Sequence, residues 1–275
     1  MIFTELVIGA LIGLVISTTG GGGGVIVLPI LSYFFGLNAL AAVATANFLS
    51  MLMKVSSSYM HFRLGNIPLK GALIVLAIML PSTFLSSLLV TWLGSLPEYT
   101  QQVERGINLL VAAAIIFSLY LFIHRMFFAT PIQKTTLKQH QIGAMFFPAV
   151  IAGVVLGATG VGGGVVVLPM LLRYMQLNIK QAIGTSIVVT TVLSGSSAYA
   201  YAQDGHTDLT LALTLCVGAL LIMPLAKYLL LKLSERTFQY LTLLLILCSA
   251  IMMTLKVVIN LVEVNENQRL VYDDT

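Results

Sequence analysis

Residues 18–31 read TTGGGGGVIVLPIL, and residues 158–171 read ATGVGGGVVVLPML. The second stretch is the first displaced by 140 positions, with Gly22, Gly23 and Gly24 falling on Gly162, Gly163 and Gly164, and Pro29 on Pro169. The match runs on without a gap: Leu37-Asn38 meets Leu177-Asn178, Thr45 meets Thr185, Ser56-Ser57 meets Ser196-Ser197, Tyr59 meets Tyr199 and Gly65 meets Gly205. Positions 13–69 share about 21 identities with 153–209. Polar positions stay in step, which apolar composition alone does not achieve. The chain is a duplication. Each glycine run interrupts an apolar segment, 2–36 or 143–175, that is too long for one span. Glycine costs ~1 kcal/mol per residue relative to alanine in a helix, so runs of three to five should open it. Each following flank of 11–12 residues is ~17 Å long, about half of a ~30 Å hydrocarbon core. We therefore expect a re-entrant or hairpin segment in each half, broken inside the membrane.

Composition says which solvent these segments face. Of 275 residues only 9% are charged and 58% are hydrophobic, with a mean hydropathy of +0.99. A soluble domain carries roughly 25% charged residues. Disordered chains, nucleic-acid binders and ordinary cytosolic enzymes are excluded, and the bilayer is the natural partner. Six further segments are long and apolar enough to span: about 40–62, 68–92, 106–124, 180–202, 209–231 and 238–262. The N-terminal segment has no basic leader and no small-residue cleavage site, so it reads as a retained membrane segment. Cys216 and Cys248 sit in apolar runs and read as small buried hydrophobes. The expected fold is an all-α integral membrane protein of two homologous repeats, 1–125 and 143–262. A basic cytoplasmic linker covers 126–142 and a C-terminal tail 263–275.

The basic residues choose between parallel and inverted repeats. Apart from Lys54 and Lys256, which lie inside spans, twelve lysines and arginines remain. If each broken segment crosses once, they divide six and six. If each returns to the side it entered from, ten share one side and only Arg105 and Arg269 lie opposite. The positive-inside bias selects the second arrangement. The repeats are then inverted, each a broken segment plus three transmembrane helices, and both termini lie outside the cytoplasm.

Inverted repeats with discontinuous helices place a binding site at mid-membrane. Here each break precedes a short helix, whose N-terminus exposes free N–H groups and about half a positive charge. Glycine allows close approach, and an anion is the natural guest. The expected substrate-binding residues are Thr18, Thr19, Gly22, Gly23, Gly24, Thr159, Gly160, Gly162, Gly163 and Gly164. A polar stripe on the next helix of each half should line the route: Asn47, Ser50, Lys54 and Ser57, then Thr185, Ser186, Thr190, Ser194 and Ser197. Lys54 is the one charge deep in a central span, there to compensate an anion or gate its path. The competing reading is a lysine snorkelling toward Arg63. All ten carboxylates map to ends, loops or the tail, and no metal-binding motif or nucleophile–base pair can be assembled. We expect no enzyme activity, no catalytic or metal-ligating residues and no cofactor.

The paired glycine breaks, each followed by V-x-V-L-P-x-L, resemble the TauE/SafE family of membrane permeases over nearly the whole chain. The resemblance implies export of sulfite or related small sulfur-containing oxyanions or sulfonates across the bacterial cytoplasmic membrane. The residues alone reach a small anion by a separate route. The leading expectation is a secondary anion exporter working by alternating access, with no nucleic-acid partner. A passive anion channel and a non-transporting membrane subunit are the alternatives, and self-assembly into a homo-oligomer is left open.

Overall fold

The computed structural model describes residues 2–19, 23–128, 140–161, 163–175, 177–203, 205, 207–232 and 235–273. Among them every regular element is helical. The first half holds α1 (Ile2–Thr19), α2 (Gly23–Phe34), α3 (Ala39–Arg63), α4 (Leu69–Ser95) and α5 (Thr100–Phe128). The second holds α6 (His140–Thr159), α7 (Gly163–Tyr174), α8 (Ile179–Ala202), α9 (Leu209–Lys232) and α10 (Glu235–Asp273). The 140-residue shift lays α2 on α7 at both ends, and the starts of α3 and α4 on those of α8 and α9. Both breaks fall at the glycines. α10 continues through most of the expected tail, and α5 and α6 reach into the expected linker from either side.

The duplicated polar residues explain the shared boundaries. Asn38 and Asn178 cap α3 and α8, their side chains accepting 2.8 Å bonds from the amides of Ala41 and Gln181. Gly65 and Gly205, equivalent under the shift, both take positive φ (66° and 71°) in the turns that follow.

Five helical stretches are long and apolar enough to cross a bilayer: Ala39–Arg63, Leu69–Ser95, Thr100–His124, Lys180–Ala202 and Gln239–Ile259. They match five of the six expected spans. The sixth is α9, whose apolar side chains are described over Leu209–Ile222. Large apolar residues such as Phe3, Leu85, Trp92, Phe147 and Leu221 stay exposed, as a lipid-facing surface requires. The chain is a multi-pass membrane protein.

Packing exchanges elements between the halves. α1 lies on α9 and α6 on α4, while α3 and α8 cross at the centre. One core joins α1, α2 and α3 to α9, and the other joins α6, α7 and α8 to α4. Neither half has a core of its own.

Contacts also fix helix directions. Met51 lies against Gly195, Ser58 bonds Thr191 at 2.8 Å, and His61 lies against Gly184. Positions rise on α3 as they fall on α8, so these two equivalent helices run antiparallel. By contrast Thr83 bonds Gly153 and Ser87 bonds Gly157, four residues on along both chains, so α4 and α6 run parallel. Beyond the break α7 comes back: Met175, just past its end, touches Gly71 near the start of α4, level with where α6 set out.

Candidate functional site

The two breaks meet. A Cβ on Gly24, in the first turn of α2, would run into the carbonyl oxygen of Gly160 and sit 3.5 Å from the Cα of Val161. Gly24 is buried, and Val161 is fully so. Only glycine lets these two backbones touch. Gly160 also holds φ at 65°, a left-handed conformation that side chains resist. On its other side stands Asn47 of α3, whose amide nitrogen would lie 3.0 Å from a Cβ on Gly160. Three elements from opposite halves thus converge at one point.

The polarity of this point follows from the bonds around it. Helix α6 ends here, and several of its last carbonyls are occupied. Leu156 accepts from the Gly160 amide at 2.7 Å. Gly157 accepts from the Ser87 hydroxyl of α4 at 3.1 Å and from the Tyr201 hydroxyl of α8 at 3.0 Å. Thr159 donates to Val155 at 2.5 Å and accepts from the Val161 amide at 3.1 Å. The expected hydroxyl contribution of Thr159 is therefore committed to its own turn. What remains free at a helix N-terminus is N–H, not C=O. α2 starts at Gly23 and α7 at Gly163, so both bring that end toward the junction.

Asn47 adds a polar side chain that offers both an acceptor and a donor. It is 1% exposed, donates to the Val43 carbonyl at 3.1 Å, and leaves its side-chain oxygen unpaired. Its amide carries a second N–H. An orphaned polar group in a buried site costs stability unless something pairs with it. Its repeat counterpart is Ile187, so only the first half supplies this amide.

Among the other expected residues, Ser50, Lys54, Thr185, Ser186, Thr190, Ser194 and Ser197 are all buried, and Ser57 is half-buried. Ser197 bonds Ser87 at 2.8 Å, tying the α8 stripe to α4. Lys54 has no ion-pair partner among the described residues and is the one charged side chain among those buried. Helical side chains lean toward the N-terminus of their helix, so Lys54 leans toward Ser50 and Asn47, away from Arg63. Thr18 and Thr19 close α1, and Gly164 lies in the first turn of α7. Their side-chain surroundings, like Gly22 and Gly162 themselves, lie outside the described residues.

Two contributors escape a reading by motif. Tyr201 is fully buried and secures the end of α6. The hydroxyl run Thr83, Ser86, Ser87 on α4 bonds the α6 carbonyls of Gly153, Val154 and Gly157. Its i, i+3, i+4 spacing is visible in the sequence, but the partner helix is not.

Comparisons with known proteins point to membrane transporters. The family model described as sulfite exporter TauE/SafE matches residues 6–253. The chain is 23% identical over 210 residues to the probable membrane transporter protein YdhB of Bacillus subtilis, covering 76% of this chain and 82% of that one. It is 23% identical over 230 residues to a probable membrane transporter protein of Methanocaldococcus jannaschii, covering 77% and 80%. A probable membrane transporter protein of Haemophilus influenzae is 25% identical over 213 residues, with 73% of each chain covered. No solved structure matches.

Proposed function

The chain belongs to the sulfite exporter TauE/SafE family, and from that premise we propose that it is a secondary transporter exporting a small anion, sulfite or a related sulfur oxyanion or sulfonate, by alternating access. Membrane transport itself follows from the family and the relatives' names. The observation that carries the anion is the junction of the two breaks. Gly24 and Gly160 bring helix N-termini together where the Leu156 and Gly157 carbonyls are already bonded. The family's description supports the sulfur class and the direction.

Inverted halves are the arrangement that best accounts for the helix directions. Equivalent helices of parallel repeats point the same way, yet α3 and α8 run opposite. An antiparallel α3 and α8 also needs each broken segment to return to its own side, as the path of α7 back to Gly71 suggests. With the basic loops facing inward, both termini then lie outside the cytoplasm of a bacterial inner membrane. The substrate-binding set is Thr18, Thr19, Gly22 to Gly24, Thr159, Gly160 and Gly162 to Gly164. The stripes from Asn47 to Ser57 and from Thr185 to Ser197 line its route.

The test is flux through purified protein in liposomes, screening sulfite, sulfate, thiosulfate, sulfonates and carboxylates with and without a proton gradient. Saturable flux with counterflow of a sulfur anion is expected. Non-saturating flux without counterflow would make the protein a channel. Gly24→Val drives two methyls into the Gly160 carbonyl and should abolish transport in protein that still inserts. Full activity in that variant would remove the junction from the site.

A further inference from the structure

Lys54 occupies a position that neither its sequence nor its burial alone reveals. The antiparallel crossing of α3 and α8 has a midpoint at which a residue faces its own repeat counterpart. The Met51–Gly195 and Ser58–Thr191 contacts bracket that midpoint on both sides. Lys54 lies between Met51 and Ser58 on the stripe of α3 that meets α8, and Ser194, its counterpart under the 140-residue shift, lies between Thr191 and Gly195. The pseudo-two-fold relation of the halves therefore passes within about a residue of this pair. Asn47 is two helical turns away, ~10 Å along α3, on the side toward which Lys54 leans.

On the facing stripes stand neutral polar groups: Ser50 one turn from Lys54 on α3, and Thr190 and Ser194 on α8, each buried. Among the described residues no buried carboxylate and no second buried cation accompanies it. A charge taken out of water needs a partner of opposite sign. Among these buried side chains the ammonium is the one full positive charge, so a second full negative charge on the cargo meets only the partial charges of helix N-termini.

Resting on the anion-transport reading above, we propose that Lys54 sets the valence of the cargo: the site takes a singly charged anion and rejects doubly charged relatives of the same chemistry. Hydroxyls, the Asn47 amide and helix N–H groups orient the oxyanion, and the lysine counts its charge. Lying at the point of exchange between the halves, the ammonium stays equivalent with respect to both mouths, so the same rule holds for loading and release.

Sulfonates test this, because their charge does not change with pH. The full chain in liposomes takes up labelled methanesulfonate against unlabelled competitors: methanesulfonate, propanesulfonate as a bulk control, and methanedisulfonate. Wild-type protein should prefer either monosulfonate over the disulfonate by about tenfold or more. Lys54→Arg should keep that preference, and Lys54→Met should lose it. Ser194→Lys, which sets a second ammonium across the crossing, should raise disulfonate competition by about tenfold. Should two adjacent lysines prevent folding, Lys54→Ser with Ser194→Lys moves the single charge across the axis and should restore the monosulfonate preference. Equal competition by mono- and disulfonate in the wild type, or an undiminished preference in Lys54→Met, overturns the proposal. Saturable transport of other anions alongside such a result leaves the transport reading standing. Absence of any anion flux removes both.

Discussion

The seam between α4 and α6 and the seam between α1 and α9 occupy equivalent places in the two halves, yet different chemistry holds them. Thr83, Ser86 and Ser87 donate to three α6 carbonyls at 3.1, 2.9 and 3.1 Å. The sequence at the matching positions of α9 is Met223, Ala226 and Lys227. Glycine closes both seams, and the hydroxyl bonds are what the first adds: a Cβ on Gly153 or Gly157 of α6 would strike the backbone of Met79 or Thr83. A Cβ on Gly218 would strike the Leu6 backbone, one on Gly9 the Leu215 backbone, and one on Gly13 the Ala219 backbone. Among the described residues of that seam, Thr214 donates a side-chain bond to Glu5 at 2.9 Å, near the start of both helices. Directional bonds fix register as well as distance. Glycine packing fixes distance by shape alone. One close-packed architecture is thus reached twice, with glycine in both seams and hydroxyl bonds added in the first.

The largest expected effect lies in the glycine seam. Gly218→Leu must displace the Leu6 backbone and should cost about 3 kcal/mol or more, read as a collapse of thermal stability in detergent. Gly106→Leu, where nothing stands within 4 Å, should change it by less than about 0.5 kcal/mol. Similar losses at both positions would erase the distinction between seam and surface. In the hydroxyl seam, Ser87→Ala removes bonds to both Gly157 and Ser197 and should cost about 1–2 kcal/mol. Ser86→Ala, with one bond to lose, should cost about 0.6 kcal/mol, the mean for such bonds in membranes. A reversed order would mean that packing, not hydrogen bonding, holds α4 to α6.

The smallest effects come from Thr45 and Thr185, equivalent and both fully buried. Thr45 accepts the Asp208 amide at 3.1 Å at the head of α9. The counterpart of Asp208 is Pro68, which has no N–H to give, and the Thr185 hydroxyl is left unpaired. Thr45→Val should therefore cost about 1 kcal/mol, whereas Thr185→Val should be neutral or slightly stabilising. Urea titration of the two variants in the same detergent checks the difference in sign. A loss at Thr185 matching that at Thr45 would show that the orphaned hydroxyl has a partner in the working protein.

The breaks themselves were legible because glycine acts on the local backbone, and the spans because apolar length is a local property of the chain. Lys54 was visible as an anomaly. That its stripe crosses α8 between the Met51–Gly195 and Ser58–Thr191 contacts was not, since a residue number says nothing about which helix lies opposite. Thr159 shows the converse: its hydroxyl looked available in the sequence, but the turn that ends α6 uses it twice. Ser86 and Ser87 looked like ordinary polar residues in a span, because a hydroxyl's worth depends on whether it faces lipid or a carbonyl.

Duplication, membrane residence and the two points of helix failure were written in the amino-acid order, for each follows from composition and short-range backbone preference. The meeting of those failures, the antiparallel crossing of α3 and α8 and the exchange of α1 and α6 between halves belong to the tertiary structure. They depend on which faces pack together over separations of 68 residues and more. Only the folded chain brings the close backbone approach of the two breaks and a buried lysine onto one polar route through the same crossing of helices.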